Sequence, residues 1–205
     1  MTGLAQEVVE VDLGSEGLLE RHLVLARPED AVRGMFFNGV LGAVGQLMGE
    51  EVARHCRQAT GERKHVDFFT YPVASFLRLC LSASGHVGPR LGGCERMLRW
   101  LGEQAARDFL GSMAGKTALL LAEGNPKRLL SQLPSSYRAA VSYGERSVMW
   151  VGGSRGRVLM RRDFMPPAYH EGVLRGTLLV AGARGVHVQG RPLGLLDSEY
   201  EISWE

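Results

Sequence analysis

Lysine is almost missing from this 205-residue chain. Lys64, Lys116 and Lys127 are the only three, so arginine carries nearly all the positive charge. Acidic residues offset it to a formal net charge of +2, too small to argue for a nucleic-acid partner. Cysteine is scarce and odd in number, with Cys56, Cys80 and Cys94 at no C-x-x-C spacing. That argues against a disulfide framework or a zinc site, and for buried free thiols in a reducing compartment. No apolar run reaches the roughly 18 residues of a membrane span. The opening MTGLAQEVVEVDLGSEG carries acids where a secretory leader needs basic residues, then lacks an apolar core. The expectation is a cytoplasmic protein.

What is present suits one domain with a real core. Residues 1–27 read as a weakly patterned N-terminal extension, with one short extended piece at EVVEVDL. Residues 28–205 read as a single α+β domain, helical over 28–134 and sheet-forming over 135–205. Pro28 suits a first helical position, and Glu29 and Asp30 suit the positive end of the helix dipole. A second helix closes at Gly61, and a third runs from Pro72 to Gly85. In CERMLRWLGEQAARDFLG, Met97, Leu101, Ala105 and Phe109 recur every four residues as one apolar stripe. Glu95–Arg99 and Glu103–Arg107 are favourable pairs on its other side. Trp100 falls among those polar positions and is the candidate residue for a protein interface. Helical pieces follow at KTALLLAEG and NPKRLLSQLP. YRAAVSYG, RSVMWVGG and GRVLMRRDF are then short, β-rich and separated by glycine turns, which predicts strands. PPAYHEGVLRGTLLVAGA reads as helix, and GVHVQGR and YEISW as closing strands.

Several candidate sites fail on spacing. GSMAGKT (111–117) looks like a phosphate loop, but three residues separate its glycines where G-x-x-x-x-G-K-[ST] has four. It also follows an amphipathic helix instead of a strand, and reads as a helix junction. The six histidines form no metal-binding pair. Ser142 lies in no G-x-S-x-G elbow. Arg155, Arg157, Arg161 and Arg162 make no basic stripe with interleaved aromatics, and suit a solvated sheet edge. No catalytic set, metal site or cofactor is expected.

The first long helix carries the most information. Gly34, Gly39, Gly42, Gly45 and Gly49 project within an arc of roughly 140° at 100° per residue. Each interior glycine costs up to about 1 kcal/mol against alanine, so that face calls for close approach by another helix or by a ligand. Gly39 and Gly42, with Phe36 beside them, are ligand-binding candidates on this ground.

The stretches RPEDAVRGMFFNGVL, VDFFTYPVASFLRL, AGKTALLLAEGNPKRLLSQLPSSYRAAVSYGERSV, RDFMPPAYHEGVLRG and DSEYEISW closely resemble a paralogous family of myxobacterial proteins of unknown function. The likeness covers nearly all the chain from about residue 20 and implies no activity. The layout of elements is also similar to haem-nitric-oxide/oxygen-binding domains, 4-vinyl reductase domains and subunits of the TRAPP vesicle-tethering complexes. That resemblance implies a haem-sensor-like or TRAPP-like α+β superfold, acting as a small-molecule sensor or an assembly module, often dimeric. Haem-binding members use a proximal histidine shortly before the sheet, and LLLAEGNPKRLLSQL has none. They also hold haem propionates with Y-x-S-x-R. Arg146 takes the arginine place here, while Ser142 and Gly144 stand where tyrosine and serine belong. The resemblance therefore argues against haem, and leaves Arg146, with Tyr143 near it, as a candidate for an acidic ligand group.

The expected function is a non-enzymatic regulatory module that binds a small apolar or acidic ligand, a protein partner or second copy, or both. The alternative from another class is an enzyme with a site assembled from Asp67, Tyr71, His170 and Glu171. Weak nucleic-acid binding stands third.

Overall fold

The computed structural model describes residues 14–205, so the extended piece predicted at EVVEVDL lies outside the described residues. Helix α1 (Gly14–Leu25) occupies part of the predicted extension, because Leu19 and His22 are buried beneath the helical layer. Strand β1 (Ala31–Arg33) follows and pairs antiparallel with β2 (Thr70–Pro72). The helix expected from Pro28 therefore begins later, as α2 (Gly34–Met48). Tertiary contacts override the local signal: Asp30 accepts from the Arg27 N–H at 2.8 Å and from both terminal nitrogens of Arg162 at 2.7 and 2.9 Å. The first N–H groups of α2 donate to the Phe69 and Asp67 carbonyls, which relieves the unpaired helix end.

Helix α3 (Glu50–Gln58) leads to α4 (Val73–Leu91). α4 starts after Pro72 and runs past the predicted stop at Gly85, since Val87 and Gly88 are buried. Gly92, at φ +84°, ends it in the left-handed conformation that glycine adopts without strain. Helix α5 (Cys94–Gly111) and helix α6 (Met113–Ala122) meet at the phosphate-loop look-alike. There Ser112 caps α6, its Oγ accepting from the Gly115 N–H at 3.2 Å. The motif is a helix junction, but the second helix opens at Met113, ahead of the helical piece expected at KTALLLAEG. Cys56 and Cys80 are buried free thiols, and burial pushes both up, Cys80 far up.

Helices α7 (Pro126–Ser131) and α8 (Leu133–Ala140) come next. α8 replaces the strand predicted at YRAAVSYG: Pro134 opens it and two alanines support it. The sheet is β3 (Glu145–Trp150), β4 (Arg155–Arg161), β5 (His187–Pro192) and β6 (Ser198–Ser203), all antiparallel, in the order β3-β4-β6-β5. Its inner face packs against α9 (Pro167–Val180). The arginine-rich strand is therefore internal, not the sheet edge expected. Two of its arginines face acids, Arg161 opposite Glu145 and Arg157 at 3.6 Å from Glu201 on β6, while Arg155 is opposite Ser203. That balance leaves no basic stripe for nucleic acid on this face.

The closest backbone approach is between α5 and α9, and it depends on glycine. A Cβ on Gly102 would collide with the Tyr169 carbonyl, one on Gly172 with the Arg99 carbonyl, and one on Gly176 would sit 3.0 Å from the Ala106 Cβ. Arg99 Nε to Glu171 and Arg175 to Glu103, both at 2.6 Å, bridge the same pair. On α2 and its cap, by contrast, the chain itself covers three glycines, with Val66 on Gly34, Asp108 on Gly39 and Glu50 on Gly45, while among the described residues nothing lies against Gly42 or Gly49. Gly172→Ala should cost about 1–3 kcal/mol in urea unfolding through overpacking. Gly42→Ala should stabilise by up to about 1 kcal/mol. Equal effects at the two sites would contradict this placement.

Candidate functional site

Asp163, just after β4, is 2% exposed and is met by three groups, from β3, from its own loop and from α9. Its Oδ2 pairs with the guanidinium of Arg146 on β3, whose side chain is 3% exposed. Its Oδ1 accepts from the Met165 N–H at 3.0 Å and lies 2.7 Å from His170 Nε2 on α9. The other ring nitrogen of His170, Nδ1, is 2.7 Å from the Tyr137 hydroxyl on α8. Arg146 also donates to the Tyr143 carbonyl, and its guanidinium lies 4.7 Å from the Tyr137 ring centre and 5.4 Å from that of Tyr143. Burial alone would push the Asp163 carboxyl up. The His170 and Arg146 interactions and the Met165 N–H outweigh it and hold that carboxyl well below the usual range. Burial and the Asp163 charge push the Tyr137 hydroxyl far above its ordinary value.

This chain of groups borders a cavity of about 90 Å³ between the helical layer and α8–α9. Phe36 from α2, Phe76 from α4 and Phe109 from α5 supply its apolar walls, and Tyr137, Tyr143, Tyr169 and His170 its polar ones. Tyr143 and Tyr169 are 5% and 6% exposed. Among the described residues, neither hydroxyl has a hydrogen-bond partner.

Of the residues singled out from the sequence, Phe36 and Tyr143 line this cavity together. Gly39 does not: it lies under the Asp108 carboxylate, and Gly42 opens away from any neighbour. Arg146 stands behind the wall, its terminal nitrogens on the Tyr143 carbonyl and on Asp163, which neutralises its charge, while its buried Nε has no partner among the described residues. Trp100 is half-buried and packed on the helical core, which gives its place among polar positions a local reason. The dispersed set of the enzyme alternative does not assemble. Asp67 accepts from Asn38 and Tyr71 from the Val66 N–H, while Glu171 faces Arg99 and the Gly190 N–H, away from its neighbour His170. Ser142, in the place of the resemblance's tyrosine, accepts from the Ala31 N–H and donates to the Glu29 carbonyl, fastening β1. Gly144, at φ +68°, packs on the Arg161 and Arg162 carbonyls. Sequence reasoning missed Tyr137, Tyr169 and Asp163. Tyr137 was hidden by the strand reading of its segment, and Asp163 was visible only as the one acid at the end of a basic run.

Helices packed over a four-stranded antiparallel sheet, with a cavity at their junction, define the class as an α+β domain. A family described only as proteins of unknown function (DUF2378) matches residues 25–205, and the chain belongs to it. No curated protein matches the chain in sequence. Among solved structures, the Fe(II) unliganded H-NOX protein from K. algicida is similar at TM-score 0.66 and 14% identity, over 84% of this chain and 96% of that one. The S. oneidensis H-NOX protein in its Fe(II)NO state is similar at TM-score 0.64 and 11% identity, over 84% and 99%. An H-NOX structure concerned with haem distortion gives TM-score 0.65 and 13% identity, over 84% and 95%. The fold is therefore H-NOX-like.

Haem does not fit the residues present. The cavity of about 90 Å³ is well below the roughly 300–1,000 Å³ of ordinary ligand pockets. His170, the histidine in its lining, has both ring nitrogens engaged, and Arg146 is neutralised by Asp163.

A second buried polar group lies apart from the cavity. His65 is 3% exposed, stacks on Phe37 with ring centres 4.3 Å apart, and has no partner for either ring nitrogen among the described residues. Burial pulls its pKa below the usual 6.5, more than the nearby Glu62 charge raises it. Above that usual value the ring is neutral whether the chain is folded or unfolded. As pH falls through it, the unfolded chain takes up a proton that the buried ring refuses, and stability drops. Unfolding free energy should therefore fall between about pH 7 and pH 5, and His65→Phe should flatten that fall. An unchanged slope in the variant would contradict this reading.

Proposed function

We propose that this protein is a non-enzymatic regulatory module that binds a small, uncharged, mostly apolar molecule in the cavity between its helical layer and α8–α9. The cavity carries the reading. It lies at the junction of α5, α8 and α9, and its lining holds no uncommitted charge that would demand an ionic ligand. The H-NOX-like fold supports a sensor role, since the similar proteins are described by their ligation states. The polar wall is poorly suited to acid–base chemistry. The Asp163 carboxylate is neutralised by Arg146, and the Tyr137 hydroxyl is raised far from the range where a group exchanges protons near neutrality.

The output surface in this reading is α6. Leu110 and Leu129 line the cavity and also pack against Ala118 and Ala122 of α6. The far side of α6 exposes Met113, Leu120 and Leu121, an apolar strip of the kind proteins use to meet partners.

Titration of ¹⁵N-labelled protein with cyclopentane or 2-butanone should shift amides on α5, α8 and α9 around the cavity, with shifts reaching α6. Ser136→Leu, which places bulk at a half-buried lining position, should abolish those shifts. No shift with either solute in the unaltered protein would overturn the reading.

A further inference from the structure

The donors and acceptors of the polar wall narrow the ligand's chemistry. The Asp163 carboxylate can only accept, so His170 Nε2, 2.7 Å away, carries the hydrogen between them. The neutral ring with hydrogen on Nε2 then presents a lone pair at Nδ1, 2.7 Å from the Tyr137 hydroxyl. That lone pair takes the Tyr137 hydrogen. The charges also balance, because Arg146 already neutralises Asp163 in a site where an extra buried charge is costly. Tyr137 Oη is thereby left with lone pairs and no hydrogen to give. Tyr143 and Tyr169, nine-tenths buried in the same lining, keep hydroxyls with no partner among the described residues. The cavity thus combines an oriented acceptor with the uncommitted phenols of Tyr143 and Tyr169, and its lining also holds the hydroxyls of Ser136 and of Thr177, which donates to the Val173 carbonyl. A ligand carbonyl can accept from those hydroxyls but has nothing to offer Tyr137. A ligand hydroxyl can serve both.

Size and charge restrict it further. A cavity of about 90 Å³ equals the share of about three waters in the liquid, which suits a molecule of roughly four to six non-hydrogen atoms. Nothing in the lining stands free to neutralise an ionised group, so the molecule is neutral.

Resting on the reading above, we propose that the cavity's ligand is a small neutral alcohol whose hydroxyl hydrogen is accepted by Tyr137 Oη. Tyr137 is then the residue that sets specificity, and His170, Asp163 and Arg146 position it by fixing the direction of its hydrogen.

The test compares 2-butanol with 2-butanone, which share a carbon skeleton and differ in the hydrogen that Tyr137 would accept. Both are titrated into the full chain and followed by the amide shifts of the cavity lining. The expected result is about tenfold tighter binding of the alcohol, the worth of one well-placed hydrogen bond at the upper end of its usual range. In Tyr137→Phe the two should bind alike, with 2-butanone little changed from the unaltered protein. Equal affinities in the unaltered protein would overturn the alcohol proposal while leaving the cavity reading standing, and so would a preference that survives in Tyr137→Phe. Absence of shifts with both compounds would overturn the cavity reading and this proposal with it. The comparison in the unaltered protein decides the matter even where the variant folds poorly.

Discussion

One buried carboxylate ties the parts of this molecule together. Asp163 leaves β4 and enters an environment where an unpaired charge would cost several kcal/mol. It is tolerated because β3 supplies Arg146, the next turn of chain supplies the Met165 N–H, and α9 supplies His170. His170 in turn reaches α8 through Tyr137. Three neighbours thus converge on one group, and Tyr137 joins them through His170. The shape of the cavity's polar wall follows from that convergence, since Tyr137 and His170 belong to both. A neighbouring pair repeats the device at lower burial. Arg162, held at φ +50° just before Asp163, grips Asp30 with both terminal nitrogens and joins the sheet to the segment before β1.

The second constraint is steric. α5 and α9 approach so closely that their backbones are separated by glycine hydrogens at Gly102, Gly172 and Gly176. This contact brings Tyr169 and His170 up to the wall formed by α5. The helical core and the sheet core share α9, whose Ala168 and Tyr169 face one and whose Leu174 and Leu178 face the other. The cavity lies where these cores fail to close completely. Its position therefore belongs to the fold, while its small size and its tyrosines belong to this sequence.

Much of this was legible beforehand. The period-four stripe from Met97 to Phe109 gave α5 with its residue limits, and the glycine-spaced β-rich segments gave the sheet. The H-NOX-like layout was readable from the order of elements. What escaped depended on distant contacts. The sheet order that makes β4 internal is set by pairing with β6, some forty residues away. The helical state of Leu133–Ala140 hid Tyr137, because a segment of alanine, serine and tyrosine reads equally as strand. The glycines of α2 correctly signalled close approach at Gly34, Gly39 and Gly45, but the approaching body is the chain itself. The glycines that matter for the site, in α5 and α9, were scattered singly along amphipathic helices and drew no notice.

If the Asp163 charge holds β3, α8 and α9 around the cavity, Asp163→Asn should loosen all three. Asparagine keeps the size of the side chain but leaves Arg146 buried without its counter-charge. Urea unfolding at neutral pH should show a loss of about 3–5 kcal/mol. A loss below about 1 kcal/mol, the scale of an exposed ion pair, would contradict that role of the charge.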